Sequence, residues 1–125
     1  MEESPYKGKT GFARVVAATG YSLSGFTYAL RHETSFQIEL ALAAVMIPLG
    51  LWLGPTGIAK ALLVGSVLFA LTVELINSAV EAVVDRVSLD THPLAKRAKD
   101  LGRAAVMFAL ATAVLTWTLV LWPSP

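Results

Sequence analysis

The sequence predicts an all-α integral membrane protein: three transmembrane helices preceded by an amphipathic helix at the membrane surface. Three observations predict it. Hydrophobic residues make up 55% of the 125-residue chain and charged residues 15%, whereas a soluble domain carries about 25% charged residues. Two long stretches, 104–122 and 61–73, contain no charge, and the first approaches the roughly 20 residues a helix needs to cross a hydrocarbon core of about 30 Å. Ahead of them Phe12, Val15, Val16, Leu23, Phe26 and Leu30 recur at helical spacing, with Arg14, Tyr21, Tyr28 and Arg31 falling largely elsewhere.

The elements follow in order, within one domain that spans 1–125. Residues 1–9 read as a polar tail. Residues 10–31 form the surface helix. Its amphipathic, aromatic-containing pattern places it in the cytoplasmic interface, the alternative being an ordinary soluble helix packed on the rest. The first span, 36–53, carries Glu39 near its start and Pro48 within, and ends at Trp52, Gly54 and Pro55. A proline there kinks the helix, which bundles tolerate when neighbours satisfy the freed carbonyl. The second span covers 58–84. A polar stretch from Asp85 to Arg103 follows, and Pro93 rules out one continuous helix through it. The third span, 104–122, stops at Pro123, Ser124 and Pro125.

Several chemistries are excluded at once. The chain has no cysteine, which removes disulfides, thiolate nucleophiles and sulfur-bound metals. His32 and His92 are too few and too dispersed for a histidine-rich zinc site. A net charge of +1 gives no global field for nucleic acid. No secretory signal peptide is recognisable, since the first apolar run of membrane length starts near Phe36. Basic residues set the orientation: Arg86, Lys96, Arg97, Lys99 and Arg103 lie between spans two and three, and Lys7, Lys9, Arg14 and Arg31 precede span one. The other connection carries only Lys60, so the N-terminus and the 85–103 stretch face the cytoplasm.

The informative segment runs from Glu74 to Asp85. Glu74, Asn77, Glu81 and Asp85 sit at i, i+3, i+7 and i+11, within an arc of about 80° on one helix face. An apolar helix thus carries one narrow stripe of three carboxylates and an amide. From Ile58 to Asp85 such a helix is roughly 42 Å long, about 12 Å more than the hydrocarbon thickness. Glu81 and Asp85 therefore approach water, while Glu74 lies about 16 Å below Asp85, just inside the hydrocarbon boundary. That is where a lipid hydroxyl can meet a water-soluble nucleotide. A charge at mid-bilayer costs on the order of 2.5–3.5 kcal/mol on insertion scales, so intramembrane carboxylates mark function by default. Mg²⁺, which prefers carboxylate and phosphate oxygens, offsets their mutual repulsion. The structural alternative pairs the stripe with Lys or Arg of neighbouring helices to fix assembly. Glu33 and Glu39 flank the entry to span one, each a second-helix metal ligand or a helix-start residue favoured by the dipole. The cluster Arg97, Lys99, Asp100 and Arg103 reads equally as a phosphate site or as topology-setting charge.

The run Glu74–Asp85 resembles the signature of the prokaryotic diacylglycerol kinase family: Glu, any, apolar, Asn, Ser/Thr, small, apolar, Glu, two residues, Val, Asp. The resemblance extends to Thr10-Gly11-Phe12-Ala13-Arg14, Gly20-Tyr21-Ser22, His32-Glu33, Lys96-Arg97-Ala98-Lys99-Asp100 and Trp117. It implies a homotrimer in the bacterial cytoplasmic (inner) membrane, with composite sites between subunits. The implied reaction is transfer of phosphate from ATP, with Mg²⁺, to diacylglycerol, giving phosphatidic acid. The implied roles are Glu74 as general base, Glu33 and Glu81 as metal ligands, and Arg14, Gly20, Tyr21, Asn77, Glu81, Lys99 and Asp100 at the nucleotide. Arg14, Glu74 and Arg103 are the implied lipid contacts. Leu23 replaces a tryptophan of enterobacterial relatives and Gln37 a basic residue. Residues 91–96 look like those of undecaprenol kinases, so undecaprenol stands as the alternative acceptor. With no glycine-rich Walker loop, neither a P-loop nor a protein-kinase site is expected. A cation channel using the stripe, or a purely structural subunit, remains as a reading from another class.

Overall fold

The computed structural model describes residues 10–87 and 92–123. The polar tail 1–9, Thr91 of the 91–96 segment, and Ser124 and Pro125 lie outside the described residues. Four helices account for nearly everything else: α1 (Gly11–His32), α2 (Thr34–Leu53), α3 (Gly57–Val87) and α4 (Pro93–Leu121). The last three are long and apolar enough to cross a membrane.

Local chemistry explains each boundary. The chain enters α1 through Gly11 at φ 61°, a left-handed conformation that glycine adopts without steric cost. α1 and α2 are separated by a single extended residue, Glu33 (φ −108°, ψ 103°). Across this break the Gln37 side-chain amide donates to the Leu30 carbonyl at 2.9 Å, satisfying one of the orphan acceptors at the end of α1. Phe26 and Phe36 pack edge to face, with ring centroids 5.6 Å apart. Pro48 lies inside α2 without ending it. Between α2 and α3 the Gly54 N–H closes on the Gly50 carbonyl. A Cβ on Gly54 would fall 2.6 Å from Lys60 Cγ, so the turn requires glycine. Thr56 Oγ1 accepts from the Ala59 N–H at 3.1 Å and caps α3.

The polar stretch 85–103 is mostly helical. α3 continues to Val87, and Pro93 begins α4, where its missing N–H costs nothing and its fixed φ suits the first turn. His92 caps that turn, its Nδ1 accepting from the Leu94 N–H at 3.1 Å. The charged residues 96–103 therefore stand on a rigid extension of the third apolar helix.

α3 packs against both α2 and α4. Its buried face is a continuous strip of Ala59, Leu63, Ser66, Ala70, Glu74 and Asn77, spaced at three and four residues as a helix contact requires. Small residues permit the close approach, as is usual between membrane helices. At Gly50 of α2 an added Cβ would lie 3.1 Å from Leu63 Cβ and 3.3 Å from the Trp117 ring. Trp117 Nε1 donates to the Leu63 carbonyl at 3.1 Å, tying α4 to α3. Most large apolar side chains point outward, among them Leu42, Val45, Phe108, Val114 and Leu119. A soluble monomer does not expose so continuous an apolar surface; lipid chains suit it. Trp52 and Trp122 finish α2 and α4 at the same end, both exposed, as in an aromatic belt at the membrane–water boundary.

Candidate active site

The site is assembled where the polar end of the α3 strip meets α2 and α4. Glu74 and Asn77 are each only 2% exposed, although both are polar and lie on an otherwise apolar helix. One turn further, the Asn77 Nδ2 amide donates to Glu81 Oε1 at 3.3 Å. Arg103 of α4 reaches the same oxygen at 3.0 Å. Asp85, at the outer end of the stripe, pairs with Lys99 of α4. Lys96 and Asp100 bond to each other at 2.7 Å on the exposed side of α4.

The stripe is therefore divided. Its outer members, Glu81 and Asp85, are paired with cations from α4, as an assembly role alone would require. Its inner members are not: Glu74 Oε2 and Asn77 Oδ1 are sealed from solvent without a hydrogen-bond partner among the described residues. Buried polar atoms cost on the order of 1–3 kcal/mol each when left unpaired, and such atoms in a native fold point to a ligand, a proton or strain.

α4 approaches this amide closely at Gly102. A side chain there would run into Asn77 Oδ1, so Gly102 sets how near α4 lies to the carboxylates. Sequence reading missed Gly102. A glycine between Leu101 and Arg103, in register with Val106, Ala109 and Ala113, was the available signal. Glu39 was weighed in the sequence only as a helix-start residue or metal ligand. It faces Glu74 from α2, and neither of its carboxyl oxygens has a partner among the described residues.

Glu33 is placed apart from this group. It occupies the N-cap position of α2, but its side chain caps no backbone N–H. Instead it lines a groove between α1 and α3 with Ser22, Gly25, Ser78 and Ala82. Arg14, Gly20 and Tyr21 lie on the exposed surface of α1. One chain thus brings Glu74, Asn77, Glu81 and Arg103 together, and leaves Arg14, Gly20, Tyr21 and Asp100 exposed. Among the described residues no three acidic or histidine side chains gather into a metal cage.

The chain's likeness to known proteins agrees with this geometry. The family model for prokaryotic diacylglycerol kinase matches residues 20–121. The chain is 49% identical to a diacylglycerol kinase of Pseudomonas aeruginosa over 121 residues, 97% of this chain and 98% of the relative. It is 42% identical to that of Escherichia coli K12 over 90% of this chain and 93% of the relative. The diacylglycerol kinase of Helicobacter pylori strain 26695 is 37% identical over 94% and 88%. With its stripe of acids on a helix long enough to cross a membrane and these relatives matched nearly end to end, the chain belongs to the prokaryotic diacylglycerol kinase family.

Proposed function

We propose that the protein transfers the γ-phosphoryl group of ATP to the hydroxyl of diacylglycerol, at the cytoplasmic face of a bacterial inner membrane and as a homotrimer. The observation that carries this reading is the Glu74 carboxylate, buried in an apolar helix interface and, among the described residues, paired with no cation. A general base for an alcohol needs an accepting oxygen that neither water nor a cation already occupies. Glu74 takes the proton as the lipid O–H bond breaks. The lipid oxygen then bonds to phosphorus, and ADP leaves with the electron pair of the cleaved bridging bond.

The remaining residues position charge, which is most of what phosphoryl transfer asks of a protein. Asn77 and Arg103 fix the Glu81 carboxylate from two sides. Arg14, Gly20, Tyr21, Lys99 and Asp100 contribute to the nucleotide surface, and Arg14 and Arg103 meet the lipid headgroup. Glu33 and Glu81 would hold Mg²⁺. Their donor chemistry fits, because this ion takes one or two carboxylates together with substrate phosphates rather than an all-protein cage, and the Glu33 carboxylate is not spent on capping α2. When bound, the ion neutralises charge developing on the phosphates. The surface placement of Arg14, Gly20 and Tyr21 on α1 suits a site completed by a neighbouring subunit. Pairing of Glu81 and Asp85 with cations disfavours a cation pathway along the stripe.

The decisive experiment offers ATP with diacylglycerol and undecaprenol in detergent micelles. Labelled phosphatidic acid is the expected product. Preferential labelling of the isoprenoid would reassign the acceptor, and metal-dependent ion flux without ATP turnover would reject the kinase reading.

A further inference from the structure

We propose that Glu39 is a positioning residue for Glu74: the two carboxyl groups hold one hydrogen-bonding proton between them, which aims the Glu74 carboxylate at the lipid hydroxyl. This rests on the assignment of Glu74 as the base. Glu39 is the one acidic or basic residue of α2, and its carboxyl group faces that of Glu74 across the α2–α3 contact. Both Glu39 oxygens and Glu74 Oε2 are sealed from solvent with no donor among the described residues. Glu39 also lines an apolar pocket of about 330 Å³ with Leu42, Met46, Ala70, Leu71 and Trp117, and the donors on that wall, Trp117 Nε1 and the Thr118 hydroxyl, are already bonded to the backbone carbonyls of Leu63 and Val114. The nearby cation, Arg103, is engaged at 3.0 Å with Glu81.

Two ionised carboxylates in contact at such a place would repel each other with three oxygens unsatisfied. A single proton removes the repulsion and satisfies two of the three oxygens, leaving one neutral Glu39 oxygen, because a protonated carboxyl is a donor and an ionised one an acceptor. The proton belongs to the pair rather than to either residue. It supplies the missing donor to Glu74 Oε2 and locks the rotation of that carboxylate, leaving the group ionised for the substrate. During transfer the lipid proton arrives at Glu74 while the shared proton stays within the pair, so no further acid or base is consumed.

The test uses the full chain in bilayer nanodiscs and reads two independent signals. Infrared difference spectra between H₂O and D₂O at neutral pH should show the carbonyl band of a protonated carboxyl group in the wild type, lost in Glu39→Gln. In ATP turnover, Glu39→Leu should lose about tenfold to a hundredfold, the range expected for removing one charge-assisted hydrogen bond. Glu39→Gln should recover much of that loss, since its amide N–H donates where the shared proton did. Neither variant should change the Mg²⁺ requirement. The proposal is overturned if the wild type shows no such band, if Glu39→Gln is as deficient as Glu39→Leu, or if Glu39→Gln raises the Mg²⁺ requirement as a metal ligand would. Should Glu39→Leu fail to fold, the infrared signal and Glu39→Gln turnover still decide the matter. Glu74→Gln separates this inference from its premise: retained turnover there removes the base assignment, whatever the band reports about Glu39.

Discussion

Glu74 and Asn77 share the buried face of α3, and Gly102 of α4 closes on Asn77. Glu74→Gln replaces the accepting oxygen by an amide of nearly the same shape, so helicity and thermal midpoint in detergent should be retained while turnover falls roughly 10²–10⁴-fold. Near wild-type turnover would remove the residue from the base role. Gly102→Ala should act indirectly. The new methyl group meets the buried Asn77 Oδ1, so the amide must rotate away or α4 must retreat, and either movement loosens its bond to Glu81. The expected result is a reduced kcat with a smaller change in ATP KM, measured in micelles. Glu33→Gln and Glu81→Gln should instead raise the Mg²⁺ concentration needed for half-maximal rate severalfold. An unchanged requirement in both would exclude them as ligands.

Among the elements, α3 and α4 carry the candidate site and their contact sets its precision. Trp117 Nε1 spans that contact to the Leu63 carbonyl. Trp117→Phe keeps the ring packed against Gly50 but removes the donor, and hydrogen bonds between membrane helices average about 0.6 kcal/mol. A small drop in thermal midpoint in detergent is expected, and a loss of several kcal/mol would mean that the ring itself repacks. The helices were legible in the sequence because long apolar runs and Gly54, Pro55 and Pro93 punctuate them. The stripe Glu74–Asp85 was legible because a fixed helical pitch turns spacing into direction. Partnership across helices was not. Nothing in the local pattern says that Arg103, rather than Arg97, reaches Glu81, or that Glu39 sits opposite Glu74, because rotation of α2 and α4 about their own axes is set by packing. The helical nature of 94–103 was hidden by its charge, which reads equally as a loop or as a solvated helix until the His92 cap is seen.

At the scale of the whole molecule, the core is narrow and the periphery apolar. Side chains such as Leu63, Ala43 and Ala109 fill the centre, while Phe108 and Leu119 are each about 70% exposed. Outward substitutions of similar hydrophobicity, Phe108→Leu for example, should leave turnover nearly unchanged where the side chain meets lipid. A marked loss of the proposed trimer in crosslinking or light scattering would instead place Phe108 at a subunit contact. Co-expression of Glu74→Gln chains with chains altered at Glu33 should restore part of the lost turnover if neighbouring subunits share sites. No recovery would confine each site to a single chain.

The 31 residues of α3 correspond to about 46 Å of rod, well beyond the oily slab around it. With tryptophans moored at the far rim, the altitude of Glu74 is fixed from below, so the thickness of the surrounding bilayer decides whether acceptor and nucleotide meet level with it. Membranes built from progressively longer acyl chains should give a rate that rises to an optimum and then declines as the acid sinks beneath the headgroups. Under the proposed reaction, fat composition would thereby serve as a throttle on an enzyme whose own product becomes part of that same sheet.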